Sequence, residues 1–258
     1  MATLEILSVG VSAPGDLATL EAHPDFRKAT RSMILAFNAI DRALQSLRRS
    51  STERPLSLGL TLGACFGELG TTKDFLTSLA ERGVARPLLF QNSLYNSIAG
   101  FLAIQLKVTG PAFTVSRELR SGVDALELAA LLCQTKLCDA CLVASVDARV
   151  ADLDDFFAPS VSGVLEGAAC LVVTLPGMAA QVGCEPGLQL ELPSANSNGH
   201  SPAQPWYEVA RTGELLKRPM DNCPLFTVAN AIQHGHASGE LMFDRTVPQG
   251  ESLRWRKP

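Results

Sequence analysis

Short apolar runs alternate along the chain with longer stretches in which apolar side chains return every three or four positions, the pattern of strands alternating with helices. Residues 4–11 (LEILSVGV) predict a first strand, stopped by Ser12, Ala13, Pro14 and Gly15. Residues 25–47 predict an amphipathic helix with Met33, Leu35, Ala36, Ile40 and Leu44 on its buried side, ended by Arg48 to Ser51 and Pro55. Residues 56–62 (LSLGLTL) are apolar without a break, as suits a strand covered on both faces. A small-residue turn at 63–67 leads to a helix over 71–82, closed by Gly83. A helix over 93–107, a strand over 112–116, a helix over 123–132 and a strand over 141–146 follow. After a loop at 152–163 comes a strand over 168–175. This alternation predicts a layered α/β fold with helices on both faces of the sheet.

Beyond Pro176 the texture changes. Residues 193–205 (PSANSNGHSPAQP) have almost nothing to bury and read as a loop or linker. Order returns at 224–230, and 240–243 (ELMF) predicts a last strand, with a polar tail beyond Pro248 in which Arg254, Arg256 and Lys257 are solvated. The chain therefore divides into a first unit over 1–176, an irregular segment over 177–223 and a terminal strand segment over 224–258.

Composition narrows the function classes. The chain has 258 residues, 47% of them apolar and 19% charged, with a net charge of −4. That excludes a disordered chain and supplies no basic stripe for nucleic acid. No apolar run reaches the roughly 18 residues that span a bilayer, and the opening MATLEILSVGV lacks the basic start of a secretory signal, so a cytoplasmic protein is expected. Seven cysteines, several inside apolar runs, read as small core residues. The Cys138–Cys141 spacing is formally C-x-x-C, but it stands alone and reads the same way.

The candidate chemistry lies in the turn from strand to helix at Ser116, Arg117, Glu118, Leu119, Arg120, Ser121 and Gly122, a kind of bend that lifts a nucleophile into a pocket. It holds no cysteine, and no histidine is near it in sequence. Ser116 and Ser121 are hydroxyls that could attack, although a helix start uses such residues as caps. Arg117, Glu118 and Arg120 crowd three charges into the same turn, available to one another or to a partner. Gly63 and Gly67 lack the lysine of a phosphate loop. His234 and His236 lack a third ligand, so neither metal nor cofactor is expected.

Laid in order, LSVGVSAPGD, LTLGACFGELGTTKDFLTSL, LLFQNSLYNSIAGFLAIQLKVTGPAFTVS, LCDACLVASVDA, LEGAACLVVTL and NAIQHGHASGELMF resemble the β-ketoacyl synthases of the thiolase-like superfamily. The resemblance implies a thiolase-like layered α/β fold on a mixed sheet, its first half complete and its second half much reduced. It also implies where the chemistry has been lost. The family's nucleophilic cysteine stands three residues before the glycine of the turn, and here that place holds Leu119. Leucine has no lone pair to take up an acyl group. The family's two histidines have no counterpart either: His200 falls in the linker, and His234 and His236 in the terminal loop. Losing catalytic residues that act as a unit lowers turnover by on the order of 10⁶.

The resemblance therefore implies a pseudo-enzyme similar to the chain-length factors of type II polyketide or aryl-polyene systems, without activity of its own. Its partner would be an active β-ketoacyl-ACP synthase in a heterodimer, with acyl carrier protein a further candidate. In the family the segment matching Leu89, Phe90, Ser93, Leu94 and Tyr95 lies at the dimer interface and reaches the partner's acyl tunnel. Two other classes stay open: an acyltransferase or thioesterase-like enzyme using Ser116 or Cys65, and a carrier-protein docking scaffold.

Overall fold

The computed structural model describes residues 2–47, 56–117, 120–150, 166–192, 229, 231–242 and 252–257. Among them, eight strands form one mixed sheet in the order β3-β2-β4-β5-β1-β6-β8-β7. Strand β1 (Thr3–Ser12) lies inside it, antiparallel to β5 (Gly167–Thr174) on one side and to β6 (Leu188–Glu191) on the other. Strand β2 (Leu58–Gly63) runs parallel to both β3 (Ala112–Val115) and β4 (Ala140–Asp147), and β4 is antiparallel to β5.

Alternation along the central strands builds two cores. On one face Cys141, Val143, Ala169, Leu171 and Val173 meet Val123, Leu126 and Ala129 of helix α6 (Ser121–Gln134). On the other face Leu142, Ala144, Cys170 and Val172 meet Met33, Leu35, Ala36 and Ile40 of helix α2 (Arg31–Ser46), together with Ile98 and Leu102 of α5 (Ser97–Gln105). Helices thus cover both faces, as the nearly continuous burial of β2, β4 and β5 requires. Helix α2 presses closely on β1: a Cβ on Gly10 would come within 2.1 Å of the Ala39 carbonyl oxygen, so only glycine fits there.

Several expected boundaries move. Helix α2 begins at Arg31 rather than Asp25, because the Thr30 hydroxyl caps it by accepting from the Met33 N–H. The residues before it form α1 (Ala18–Glu21) and a 3₁₀ turn at Pro24–Phe26. After α3 (Leu69–Arg82), closed by Gly83 in the left-handed region, the helix expected over 93–107 is present as α5, and a separate short helix that was not expected precedes it. Pro87 opens α4 (Pro87–Asn92), Ser93 caps its end, and α5 begins at Ser97, whose hydroxyl donates to the Asn92 carbonyl.

The larger corrections concern the end of the chain. Within 177–223, expected to be irregular, the described residues form a 3₁₀ turn at Ala179–Val182 and strand β6. The connection from β5 to β6 is tied near both of its ends to Glu5 of β1, whose buried carboxylate accepts from the Gly177 and Gly187 N–H groups at 3.0 and 3.1 Å. The polar tail is also a strand. Strand β7 (Gly239–Met242) is not the last, since β8 (Ser252–Arg256) pairs with both β6 and β7. Arg254 and Arg256 face solvent as expected, but Trp255 between them is buried, lies over Gly239 and donates its indole N–H to the His236 carbonyl.

Candidate functional site at the carboxyl ends of the parallel strands

Strands β2, β3 and β4 run in parallel and end together: Gly63 is in register with Val115 on one side and Ser145 on the other. The turn after β2, the turn after β3 and Asp147 at the end of β4 therefore converge. In open α/β sheets such an end, beyond the carboxyl termini of parallel strands, is where sites are built.

The turn after β3 packs against β2 with no room to spare. A Cβ on Gly63 would stand 2.5 Å from the Ser121 carbonyl oxygen, so glycine lets the start of α6 close on the sheet. Ser121 is buried, and its hydroxyl accepts the Arg117 N–H at 2.8 Å, holding the turn rather than facing a substrate. Ser116 is exposed just beyond the end of β3. Glu118 and Leu119 lie outside the described residues. The two arginines are engaged within the chain: Arg117 and Arg120 both reach Asp124 in the first turn of α6, at 3.2 and 3.1 Å, and Arg120 also reaches Glu127. Burial raises the Glu127 carboxyl, and the charge of Arg120 opposes the rise. A carboxylate at a helix start, flanked by guanidinium groups, suits the positive end of the helix dipole.

The turn after β2 is organised by an acid that the sequence pattern did not single out. The Asp147 carboxylate accepts from the Phe66 N–H at 2.8 Å and the Cys65 N–H at 3.3 Å. Although part of the residue reaches the surface, its carboxyl is enclosed, and burial pushes it up to about 7 against these two hydrogen bonds. Gly67 then takes a left-handed φ of 56° and leaves room for the Tyr95 ring, which a Cβ there would strike at 2.8 Å. A second buried acid, Glu68, accepts from the Thr30 and Thr71 hydroxyls, and burial raises its carboxyl too. Neither acid has a sequence signature, because each is defined by N–H or hydroxyl groups brought to it from elsewhere.

The structure brings the expected interface residues together on one side of this end. Phe90, Leu94 and Tyr95 are about half exposed, while Leu89 and Ser93 are partly buried. Phe90 packs its ring on Phe75 of α3, and Ser93 accepts from the Thr72 hydroxyl. Two further apolar residues that the sequence reading did not name belong to the same run of chain: Ile104 is 76% exposed on α5, and Phe113 is 46% exposed on β3. Strand β3 is one of the two terminal strands of the sheet among the described residues. His200 lies outside the described residues, and His234 and His236 are exposed in the turn before β7. Among the described residues no three His, Cys, Asp or Glu side chains are grouped to hold a metal ion, and no helix is long and apolar enough to cross a membrane.

Known proteins of the same architecture carry a common theme. No curated protein matches the sequence. Among solved structures, a type II PKS acyl-carrier protein in complex with its ketosynthase bound to the hexaketide superposes with a TM-score of 0.72 at 15% identity, covering 100% of this chain and 99% of that one. A ketosynthase in complex with its chain length factor from Xenorhabdus doucetiae gives 0.64 at 15% identity, with 100% of both chains covered. The ishigamide ketosynthase/chain length factor gives 0.67 at 16% identity over 98% of each. At such identities the likeness shows the shared thiolase-like α/β fold. The sequence itself matches the family described as beta-ketoacyl synthase, N-terminal domain, over residues 18–154, which takes in everything from α1 to the end of β4. That match covers more than half of the chain, which therefore belongs to the β-ketoacyl synthase family.

Proposed function

We propose that this chain is a non-catalytic, chain-length-factor-like subunit that pairs with an active β-ketoacyl-ACP synthase of a polyketide, aryl-polyene or fatty-acid system. The observation that carries the reading is the apolar side of α4, α5 and β3. Phe90, Leu94 and Tyr95 stand exposed on α4 and the turn after it, and Ile104 and Phe113 on α5 and β3, a terminal strand whose outer backbone groups have no sheet neighbour among the described residues. Contiguous exposed apolar surface beside an open strand edge marks an interaction site in a stable protein. Leu119 at the nucleophile position supports the non-catalytic part. The relatives named above were solved as ketosynthase complexes with a chain length factor or a carrier protein, which supports the kind of partner.

Light scattering of the chain alone, and of the chain co-expressed with the ketosynthase encoded beside its gene, tests the pairing. The expected result is a one-to-one complex that condenses acyl units, and no condensation by this chain alone. A well-behaved protein indifferent to that ketosynthase rejects the proposal. If the chain also lines the shared tunnel, Leu89→Phe in the complex shifts product length, whereas a docking scaffold leaves it unchanged.

A second reading rests on Cys65, a half-buried thiol in the turn fixed by Asp147. An acyltransferase or thioesterase built there would form an acyl-enzyme from a labelled thioester, and Cys65→Ala would abolish the label. Ser116→Ala tests the exposed hydroxyl in the same way.

A further inference from the structure

At the end of the sheet opposite the candidate site, three thiols gather where α6 hands the chain to β4. Cys133 lies in the last turn of α6, Cys138 just before β4, and Cys141 within it. All three are reduced and buried. The sulfurs of Cys133 and Cys138 are 3.9 Å apart, and a Cβ on Gly59 would come within 3.0 Å of the Cys138 sulfur, so glycine in β2 makes the space that Cys138 fills. Cys141 meets the Thr61 hydroxyl at 3.8 Å on its other side. The burial is shallow. Residues 134–137, the turn that covers the pair, are all exposed, and Lys136 within it holds a left-handed φ of 58°, a conformation costly for a side-chain-bearing residue.

We propose that Cys133 and Cys138 form a redox-modification site, a dithiol that a peroxide converts to a disulfide joining the end of α6 to the start of β4. The proximity suits the bond, which needs the sulfurs to close to about 2.05 Å by side-chain rotation and a small shift of the covering turn. The polarity suits the first step. The hydrogen bond with Cys133, and then that with Cys141, hold the Cys138 thiol below the usual thiol range against the opposing effect of burial, while Cys133 is raised in turn. The proposed order of steps has Cys138 as the attacking thiolate. It displaces hydroxide from hydrogen peroxide and becomes a sulfenic acid. With the negative charge gone from Cys138, Cys133 is released to attack the sulfenic sulfur. The S–S bond forms, the S–O bond breaks, and the Cys133 proton leaves with hydroxide as water. Overall, two thiols and one peroxide give one disulfide and two waters. This inference concerns the end of α6 remote from the candidate site and is independent of the proposed function.

The sequence offers a direct readout, because trypsin cuts after Arg120, Lys136 and Arg149 and so separates Cys133 from the other two cysteines. The folded full-length chain is treated with hydrogen peroxide, its remaining thiols are alkylated, and it is digested without reduction. The expected product is peptide 121–136 disulfide-linked to peptide 137–149. That link should be lost on addition of dithiothreitol, present in Cys141→Ser and absent in Cys138→Ser. The wild-type digest decides the main question even if a variant folds poorly. Absence of the linked pair, a disulfide confined within 137–149, or oxidation restricted to Cys65 would each overturn the proposal.

Discussion

The carboxyl of Asp147 receives two backbone N–H groups and still sits high, pushed up to about 7, because burial outweighs them. An unfolded aspartate releases its proton near 3.8. Between those values the folded chain retains a proton that the unfolded chain has lost, so this residue's contribution is full at acid pH and declines as pH rises towards about 7, where it levels off. Asp147→Asn removes the titration while keeping an oxygen that can accept from Phe66. Urea unfolding of both proteins across this range should show the wild type losing roughly 1 to 4 kcal/mol relative to the variant between about pH 4 and pH 7. Glu68 and Glu127 titrate in both proteins, so the difference isolates Asp147. A difference that does not change with pH would show that the carboxyl is not held high. The same residue scale accounts for Glu5: with two N–H groups directed at one carboxylate, Glu5→Gln must turn an amide N–H toward one of them or leave it unpaired. That should lower stability by about 1 to 3 kcal/mol, measured as a fall in urea midpoint.

At the scale of elements, the site depends on how closely α6 approaches β2. Gly63→Ala places a methyl group 2.5 Å from the Ser121 carbonyl, a backbone atom that cannot swing aside, so α6 must move outward and take Arg117, Arg120 and Asp124 with it. Overpacking of this kind costs about 1–3 kcal/mol, and a drop in thermal midpoint together with slower assembly with the proposed ketosynthase partner is the expected result. An unchanged midpoint would mean that the contact is slack. Strand β2, a leucine-rich run between Pro55 and Gly63, and helix α6, an apolar stretch too long for a strand, were legible in the sequence on either side of this contact. The C-terminal elements were less so. Strand β6 has four residues, and β8 reads as a charged tail until Trp255 is seen to fill a place in the core against Leu190. Strand β6 is defined wholly by partners more than sixty positions away in the chain, and β8 by one such partner besides β7, which no local pattern reports. Asp147 escaped notice for the same reason: its acceptor role exists only because β4 ends beside the turn that follows β2.

For the whole molecule, the two outermost strands of the sheet differ in what they leave exposed. One outermost strand, β7, pairs with β8, whose Arg256 reaches Glu191 of β6 at 2.9 Å; the other, β3, pairs with β2 and presents exposed Ala112 and Phe113. An open strand edge lined by apolar side chains is an aggregation hazard unless a partner covers it, and stable proteins leave it in that form when the partner is part of the working assembly. The proposed ketosynthase partner would bury Phe113 and Ile104 together, removing from water two large side chains that now gain little from the fold they belong to. Because both are exposed, replacing them leaves the two cores intact. Phe113→Lys combined with Ile104→Lys should leave the stability of the isolated chain within about 0.5 kcal/mol of wild type. It should also increase the solubility of the isolated chain and abolish the one-to-one complex in light scattering, because a charge carried into an apolar interface without a counter-charge costs several kcal/mol. A complex that survives both substitutions would place the ketosynthase on another face and leave the β3 edge without a role in assembly.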